Sequence, residues 1–333
     1  MATTAGGLSV ADASTRAARF RVGTDNRGYR GFDFHTEGQW EGPFCFLQAA
    51  DTQFGMMYSF SDDKAPPNDP NTPGRPKEPP SRWDQEVTLT TKLVQTANVM
   101  RPRPRFLVVC GDLVDAMPGV SYRQDQVRDF KAVLADLHPE IKPVCICGNH
   151  DVGDVPTPDS VEQYRNDFGD DYFSFWCGGV KFITVNSQFY HDDSQTLELS
   201  RRQQRWLDEE LADSRPRKHL VGFQHIPPFV NHRDEEPVEV FGVPSLSFNF
   251  ANKKRRYDYL DKLKKAGMMK LFCGHYHRNA GGFDGELGVV VTSAVGCQLG
   301  DDDHGMRVVR VLDDRIEHEY FSLDSMPTAV SLS

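Results

Sequence analysis

Five apolar runs in this sequence each end in side chains that can bind a cation. FLQAADTQ delivers Asp51 and Gln53, LVVCGDLVD delivers Asp112 and Asp115, and VCICGNHD delivers Asn149, His150 and Asp151. HLVGFQH ends at His225, and LFCGHYH at His275 and His277. Carboxylate and amide oxygens mixed with imidazole nitrogens suit Mn, Fe or Zn rather than a thiolate-held structural zinc. The donors suffice for two ions with one carboxylate bridging. Two ions ~3.5–4 Å apart clamp the attacking and leaving oxygens of an in-line phosphoryl displacement. Each piece alone has a blander reading: a GD or GN after a strand is a turn, and a lone His there is a hydrogen-bonded core residue. The whole set, in this order, is much harder to read that way.

For these groups to meet, the runs must be strands whose carboxyl ends share one edge, where α/β sheets collect their ligands. Gly111, Gly148 and Gly274 each precede a candidate ligand, and glycine permits the sharp turn and close backbone approach required there. Between the runs, a helix is expected over roughly Asp84 to Met100. A second, RQDQVRDFKAVLADL, carries Val127, Phe130, Val133, Leu134 and Leu137 on one face. Strand and helix in alternation predict a largely parallel sheet with crossovers. Further strands are expected at 171–176, 180–186, 219–224, 269–273, 288–295, 306–312 and 315–321, with helices near 159–168, 200–213 and 252–266. The many strands after residue 270 suggest a second, more antiparallel sheet. Residues 1–40 read as a partly flexible extension and 41–325 as one domain. The Pro-rich stretch 61–83 is an exposed loop, either a lid or an inert insertion.

The ordered set Asp51-Thr52-Gln53, GDLVD, GNHD, His225 and GHYH resembles the signature of the calcineurin-like metallophosphoesterase superfamily over residues 51–277. GPFCFLQAADTQFG, GDDYFSFWCGGVKF, NSQFY, QHIP, GHYHRNAGG and GCQLG are similar to one subfamily described as cytosolic Ser/Thr phosphoprotein phosphatases in growth signalling. The resemblance implies an α/β fold of two packed mixed β-sheets flanked by helices, and phosphate-ester hydrolysis with two divalent ions. It implies that Asp51 binds the first metal with His277, that Asp112 bridges, and that Asn149, His225 and His275 hold the second. His150 is then the general acid for the leaving alkoxide, and Asp115 hydrogen-bonds it and favours its charged form. Asp151 is a supporting residue or an N-cap.

Two positions depart from the family pattern. Gln53 stands where the family has a histidine, so the first metal loses an imidazole and takes a weaker amide ligand or water. Ala116 stands where the best-known Ser/Thr phosphatases place a phosphate-clamping Arg. Arg123 and Arg278 are candidate replacements, with surface salt bridging the blander fate of each.

The bulk composition narrows the partners. Net charge is 38 − 48 = −10 over 333 residues, which disfavours a nucleic acid polymer or an anionic membrane. No stretch approaches the ~18 apolar residues of a membrane span. Seven cysteines are an odd number without a disulfide spacing, so a reducing, cytoplasmic location is expected. MATTAGGLSVADASTRAARF lacks the layout of a secretory signal and reads as a frayed tail, with a weaker organelle-targeting alternative. The expected function is a two-metal phosphomonoesterase acting on phosphoprotein or a small phosphoester, as a monomer, with Mn, Fe, Zn or Mg as the ions. A phosphodiesterase on small or cyclic nucleotides and a catalytically weakened binding protein are the alternatives. The basic run NKKRRYDYLDKLKK (252–265) reads as a solvated helix face before a docking surface.

Overall fold

Residues 10–60, 83–240 and 243–333 are described by the computed structural model. The 61–83 insertion, apart from Trp83, lies outside them. A small hairpin, β1 (Thr24–Asp25) and β2 (Gly28–Tyr29), precedes β3 (Phe44–Ala49), β4 (Phe106–Cys110), β5 (Lys142–Ile146), β6 (Phe173–Cys177) and β7 (Val180–Thr184). Then follow β8 (Leu220–Phe223), a second hairpin of β9 (Glu239–Val240) and β10 (Val243–Ser247), β11 (Lys270–Cys273) and β12 (Ala280–Asp284). The last strands are β13 (Leu287–Val291), β14 (Gly305–Val311) and β15 (Ile316–Ser322).

Two mixed sheets result, in the orders β15-β14-β3-β4-β5 and β12-β13-β11-β8-β7-β6. Strands β3, β4 and β5 are parallel, as are β7, β8, β11 and β13. Every residue of β3 and β4 is buried, which is why they read as unbroken apolar runs rather than as alternating ones. The sheets face each other across an aromatic layer. Phe46 stacks on Phe106 at 4.5 Å, and Phe106 meets Phe182 edge-on at 5.2 Å. Such pairs contribute beyond the area they bury. Helices Asp84–Val99, Arg123–Leu134 and Pro158–Phe168 cover the outer face of the first sheet, and Leu197–Ala212 and Lys253–Lys265 that of the second. The apolar face predicted for residues 123–137 is buried at all of Val127, Phe130, Val133, Leu134 and Leu137.

The strands after residue 270 do not form a sheet of their own. β11, β12 and β13 complete the second sheet, while β14 pairs antiparallel with β3 and carries β15 into the first. Short turns join only β12 to β13 and β14 to β15; the Gly/Asp segment 292–304 crosses between sheets.

Residues 10–40 pack against the rest of the chain. A helix, Val10–Ala17, buries Ala13 and packs on Arg123–Leu134. Phe32 stacks on Phe175 at 5.8 Å, and Arg27 binds Asp171 at 2.8 Å. The segment is held by distant contacts, not by a periodicity of its own. The seven cysteines are buried and unbridged. Among the described residues no helix is long and apolar enough to cross a membrane.

Candidate metal centre

The loops at the carboxyl ends of β3, β4, β5, β8 and β11 converge between the two sheets. They turn sharply. Asp51, Gln53, Asp112, His275 and His277 all hold positive φ, from 38° to 70°. Left-handed backbone in residues other than glycine costs of order 1–3 kcal/mol each and clusters at functional sites. The three glycines before the candidate ligands are needed for space. A Cβ on Gly148 would sit 2.2 Å from Asp112 Oδ1, one on Gly274 2.5 Å from Asp51 Oδ2, and one on Gly111 2.4 Å from His225 Nδ1.

Within this cradle the acceptors face one another. His225 Nδ1 donates to the Cys110 carbonyl at 2.8 Å; because a carbonyl only accepts, Nε2 of a neutral ring carries the lone pair. That Nε2 lies 3.2 Å from Asp112 Oδ2, 3.1 Å from Asn149 Oδ1 and 3.1 Å from His275 Nδ1. The Nε2 of His275 points to the Ser247 carbonyl at 3.3 Å, which leaves Nδ1 as its lone-pair atom. His277 repeats the device, with Nδ1 on the Cys297 carbonyl and Nε2 3.3 Å from Asp51 Oδ1. Hydrogen bonds of this kind fix the tautomer of metal-ligating histidines. Two donor groups emerge, Asp112 with His225 and His275, and Asp51 with Asp112 and His277, the ligand atoms of each lying within 4.8 Å of one another. Asp112 belongs to both.

The electrostatics match. Burial would raise the Asp112 carboxyl, but His225, His150 and His275 hold it well below the usual carboxylate range. Burial opposes charging His225, and Asp112 overrides it and lifts the imidazole to about 9. The pocket therefore favours positive charge strongly. Burial, then the neighbouring His225, pushes His275 well below its ordinary value, so its nitrogen stays available as a ligand. Gln53 fits here as well. Its Oε1 is buried without a hydrogen-bond partner, and a buried unsatisfied acceptor costs about 1–3 kcal/mol unless something binds it. These donors, all oxygen or imidazole nitrogen, suit divalent ions.

Four expectations need correcting or completing. Asp115 meets His150 through its backbone as well as its side chain. The Asp115 backbone carbonyl accepts from His150 Nδ1 at 2.6 Å, and the carboxylate lies 3.5 Å from the same nitrogen. Ser59 Oγ at 2.9 Å and Gln53 Nε2 at 3.3 Å also engage that carboxylate. Arg123 is neither a clamp nor a surface ion pair. It is 1% exposed and donates to the carbonyls of Ala116, His150 and Asp151, knotting the loops after β4 and β5. Arg278 lies over the Tyr276 ring and donates to the Leu299 carbonyl. Asp151 supports the loops, accepting from Gly148 N at 2.8 Å and Leu113 N at 3.2 Å.

Sequence reasoning missed Asp154, whose Oδ1 accepts from Asn149 Nδ2 at 2.9 Å and so turns the amide oxygen inward. Its one signal is a second acid after GNHD. The orienting carbonyls of Cys110, Ser247 and Cys297 have no side-chain signal at all.

The family model for calcineurin-like phosphoesterase matches residues 46–279, the span that contains every candidate metal ligand from Asp51 to His277. The chain belongs to the calcineurin-like phosphoesterase family. Members of this calcineurin-like family are phosphoric ester hydrolases, and membership implies divalent metal ions. The chain is 44% identical over 305 residues to the serine/threonine-protein phosphatase CPPED1 of Danio rerio, covering 90% of this chain and 92% of that one. It is 43% identical over 297 residues to CPPED1 of Homo sapiens, covering 89% and 88%. Two solved structures share the fold. A dimetal phosphatase from Danio rerio aligns with TM-score 0.55 at 16% identity, over 85% of this chain and 97% of that one. A purple acid phosphatase from yellow lupin (Lupinus luteus) aligns with TM-score 0.56 at 14% identity, over 86% and 52%. The αββα sandwich expected of this phosphoesterase is the one found.

Proposed function

We propose that this phosphoesterase hydrolyses phosphomonoesters of serine and threonine in phosphoproteins, using two divalent ions and His150 as the general acid. Asp51, His277 and Gln53 would hold one ion, Asn149, His225 and His275 the other, with Asp112 between them. Such ions, when bound, supply Lewis acidity toward the phosphoryl oxygens and a nucleophilic oxygen at neutral pH. The observation that carries the reading is the facing set of carboxylate, amide and imidazole ligand atoms with Asp112 common to both groups. The high identity to relatives named as serine/threonine-protein phosphatases supports the substrate class.

The chain's own residues do the rest. His150 Nδ1 is committed to the Asp115 carbonyl, so its Nε2 is the atom left to give a proton to the departing alkoxide. Burial disfavours the imidazolium, but the Asp112 and Asp115 carboxylates raise its pKa above the ordinary histidine value. The shift favours the charged ring, the form from which a general acid acts. The His150 backbone N–H donates to Asp112 Oδ1 at 2.8 Å, which couples acid and bridging carboxylate in one rigid loop. We take the setting to be reducing and cytoplasmic, on the odd number of cysteines without a disulfide spacing, and the working unit to be a monomer.

One metal-loaded preparation assayed on a phosphoserine peptide, p-nitrophenyl phosphate and bis(p-nitrophenyl) phosphate tests the reading. Preference for the monoesters is expected. Preference for the bis-ester would make the protein a phosphodiesterase, and inertness on all three would make it a binding protein.

A further inference from the structure

At the opposite end of the first sheet from the metal centre lies a pocket of about 410 Å³, formed where residues 19–30 cross the end of helix Arg123–Leu134 and the start of β5. Its floor is apolar. Leu134, Leu137 and Ile141 are buried there, and Phe20 and Val22 are partly exposed. Its rim is basic on both lips, with Arg19, Arg21 and Arg30 on one and Lys142 on the other beside His138, which faces Glu140 at 3.7 Å; among the described residues no carboxylate lines it. Arg19 is paired with Asp136, and Arg30 only loosely with Asp25 at 3.9 Å, both groups exposed. Among the described residues, Arg21 and Lys142 rest on backbone carbonyls alone. On a chain of net charge −10 such a rim stands against the overall field. β5 runs from this pocket toward Asn149, and five residues at roughly 3.3 Å each separate the two by on the order of 15 Å.

We propose that this pocket docks an acidic peptide segment that places one apolar side chain on the floor and its carboxylates on the rim. The segment would belong to the phosphoprotein substrate, and in that respect the proposal rests on the function argued above. The exposed arginines on an open rim favour a peptide crossing the surface over a small molecule, which a binding site buries almost wholly. Two lips of like charge separated by an apolar floor match acids flanking a hydrophobic residue. Arg21 and Lys142 are the groups whose charge no neighbouring acid answers. Rim charges of this kind act on encounter and are screened by salt.

The test is fluorescence anisotropy with a fluorescein-labelled peptide of one phenylalanine flanked on each side by three glutamates. No catalysis is read, so failure of the phosphatase reading leaves this result interpretable. Wild-type protein and Asp112→Asn should bind the probe alike, with affinity falling as salt rises. Arg21→Glu/Lys142→Glu should weaken binding roughly tenfold or more, with unchanged circular dichroism and unchanged turnover of p-nitrophenyl phosphate. A probe with phenylalanine replaced by alanine should bind more weakly. Equal binding of the probe to wild type and the charge-reversed variant would overturn the proposal. So would sedimentation of the protein with phosphatidylserine-containing vesicles without binding of the peptide.

Discussion

His225 Nε2 and His275 Nδ1 face each other at 3.1 Å, with the other nitrogen of each ring directed at a backbone carbonyl, Cys110 for the first and Ser247 for the second. Against the cost of burial, Asp112 lifts the His225 imidazole to about 9, so this cluster draws in positive charge, as a proton or as a metal ion. Asn149 Oδ1 and Asp112 Oδ2 approach the same His225 nitrogen at 3.1 and 3.2 Å and add two oxygens that can share a cation with it. A divalent cation is the partner such a cluster is built to hold, and Asp112 extends it toward Asp51 and His277.

Replacing Asp112 with asparagine removes the negative charge common to both groups while keeping the shape. Asp112→Asn should lower metal content and abolish hydrolysis, measured by elemental analysis beside a p-nitrophenyl phosphate assay. Near-normal turnover would show that the carboxylate is not the centre of the site.

His150 is predicted to act on the leaving group rather than on the metals. His150→Ala should retain metal and lose roughly 10²–10⁴-fold in rate, the usual worth of one acid–base group. The loss should shrink for substrates whose leaving groups need no proton. Metal loss together with a substrate-independent rate loss would move His150 into the ligand set.

Strand ends and ligand types were legible because β3, β4, β5, β8 and β11 are buried runs followed at once by polar residues. β12, AGGFD, was missed because paired glycines carry no hydrophobic pattern. The packing of residues 10–40 was illegible for another reason: it depends on contacts with Phe175 and Asp171, far along the chain. Within the site, the carboxylate of Asp115 drew attention and its backbone carbonyl, which also meets His150, did not. Arg123 was read by its charge, whereas the fold uses its fork geometry to satisfy three buried carbonyls.

Gln53 should make the first ion the weaker one. Its Oε1 is a neutral oxygen donor, buried and unpartnered, in place of an imidazole. The protein is expected to purify with substoichiometric metal and to be activated by added Mn²⁺ or Mg²⁺, which accept oxygen ligands. Isothermal titration of Mn²⁺ into stripped wild type and Gln53→His should show tighter binding of one ion in the variant. Equal affinities would mean that Asp51, Asp112 and His277 set it without residue 53.

Away from the site, His318 should make folding acid-sensitive. Arg307 Nη1 lies 3.3 Å from His318 Nδ1, a contact that only the neutral ring can accept. Burial first, then Arg307, holds the imidazole down at about 4, against about 6.5 in an unfolded chain. Between these values the unfolded state binds the extra proton, so stability is lost as pH falls from about 6.5 to about 4. His318→Gln should flatten that part of the Tm profile, and an unchanged slope would assign the acid sensitivity elsewhere.

Whether two ions sit on either side of Asp112 can be read from anomalous diffraction of crystals grown with Mn²⁺. Two peaks ~3.5–4 Å apart are expected, one against Asn149, His225 and His275 and the other against Asp51 and His277, with Asp112 touching both. A single peak under saturating Mn²⁺, or two peaks that do not share Asp112, would contradict that arrangement.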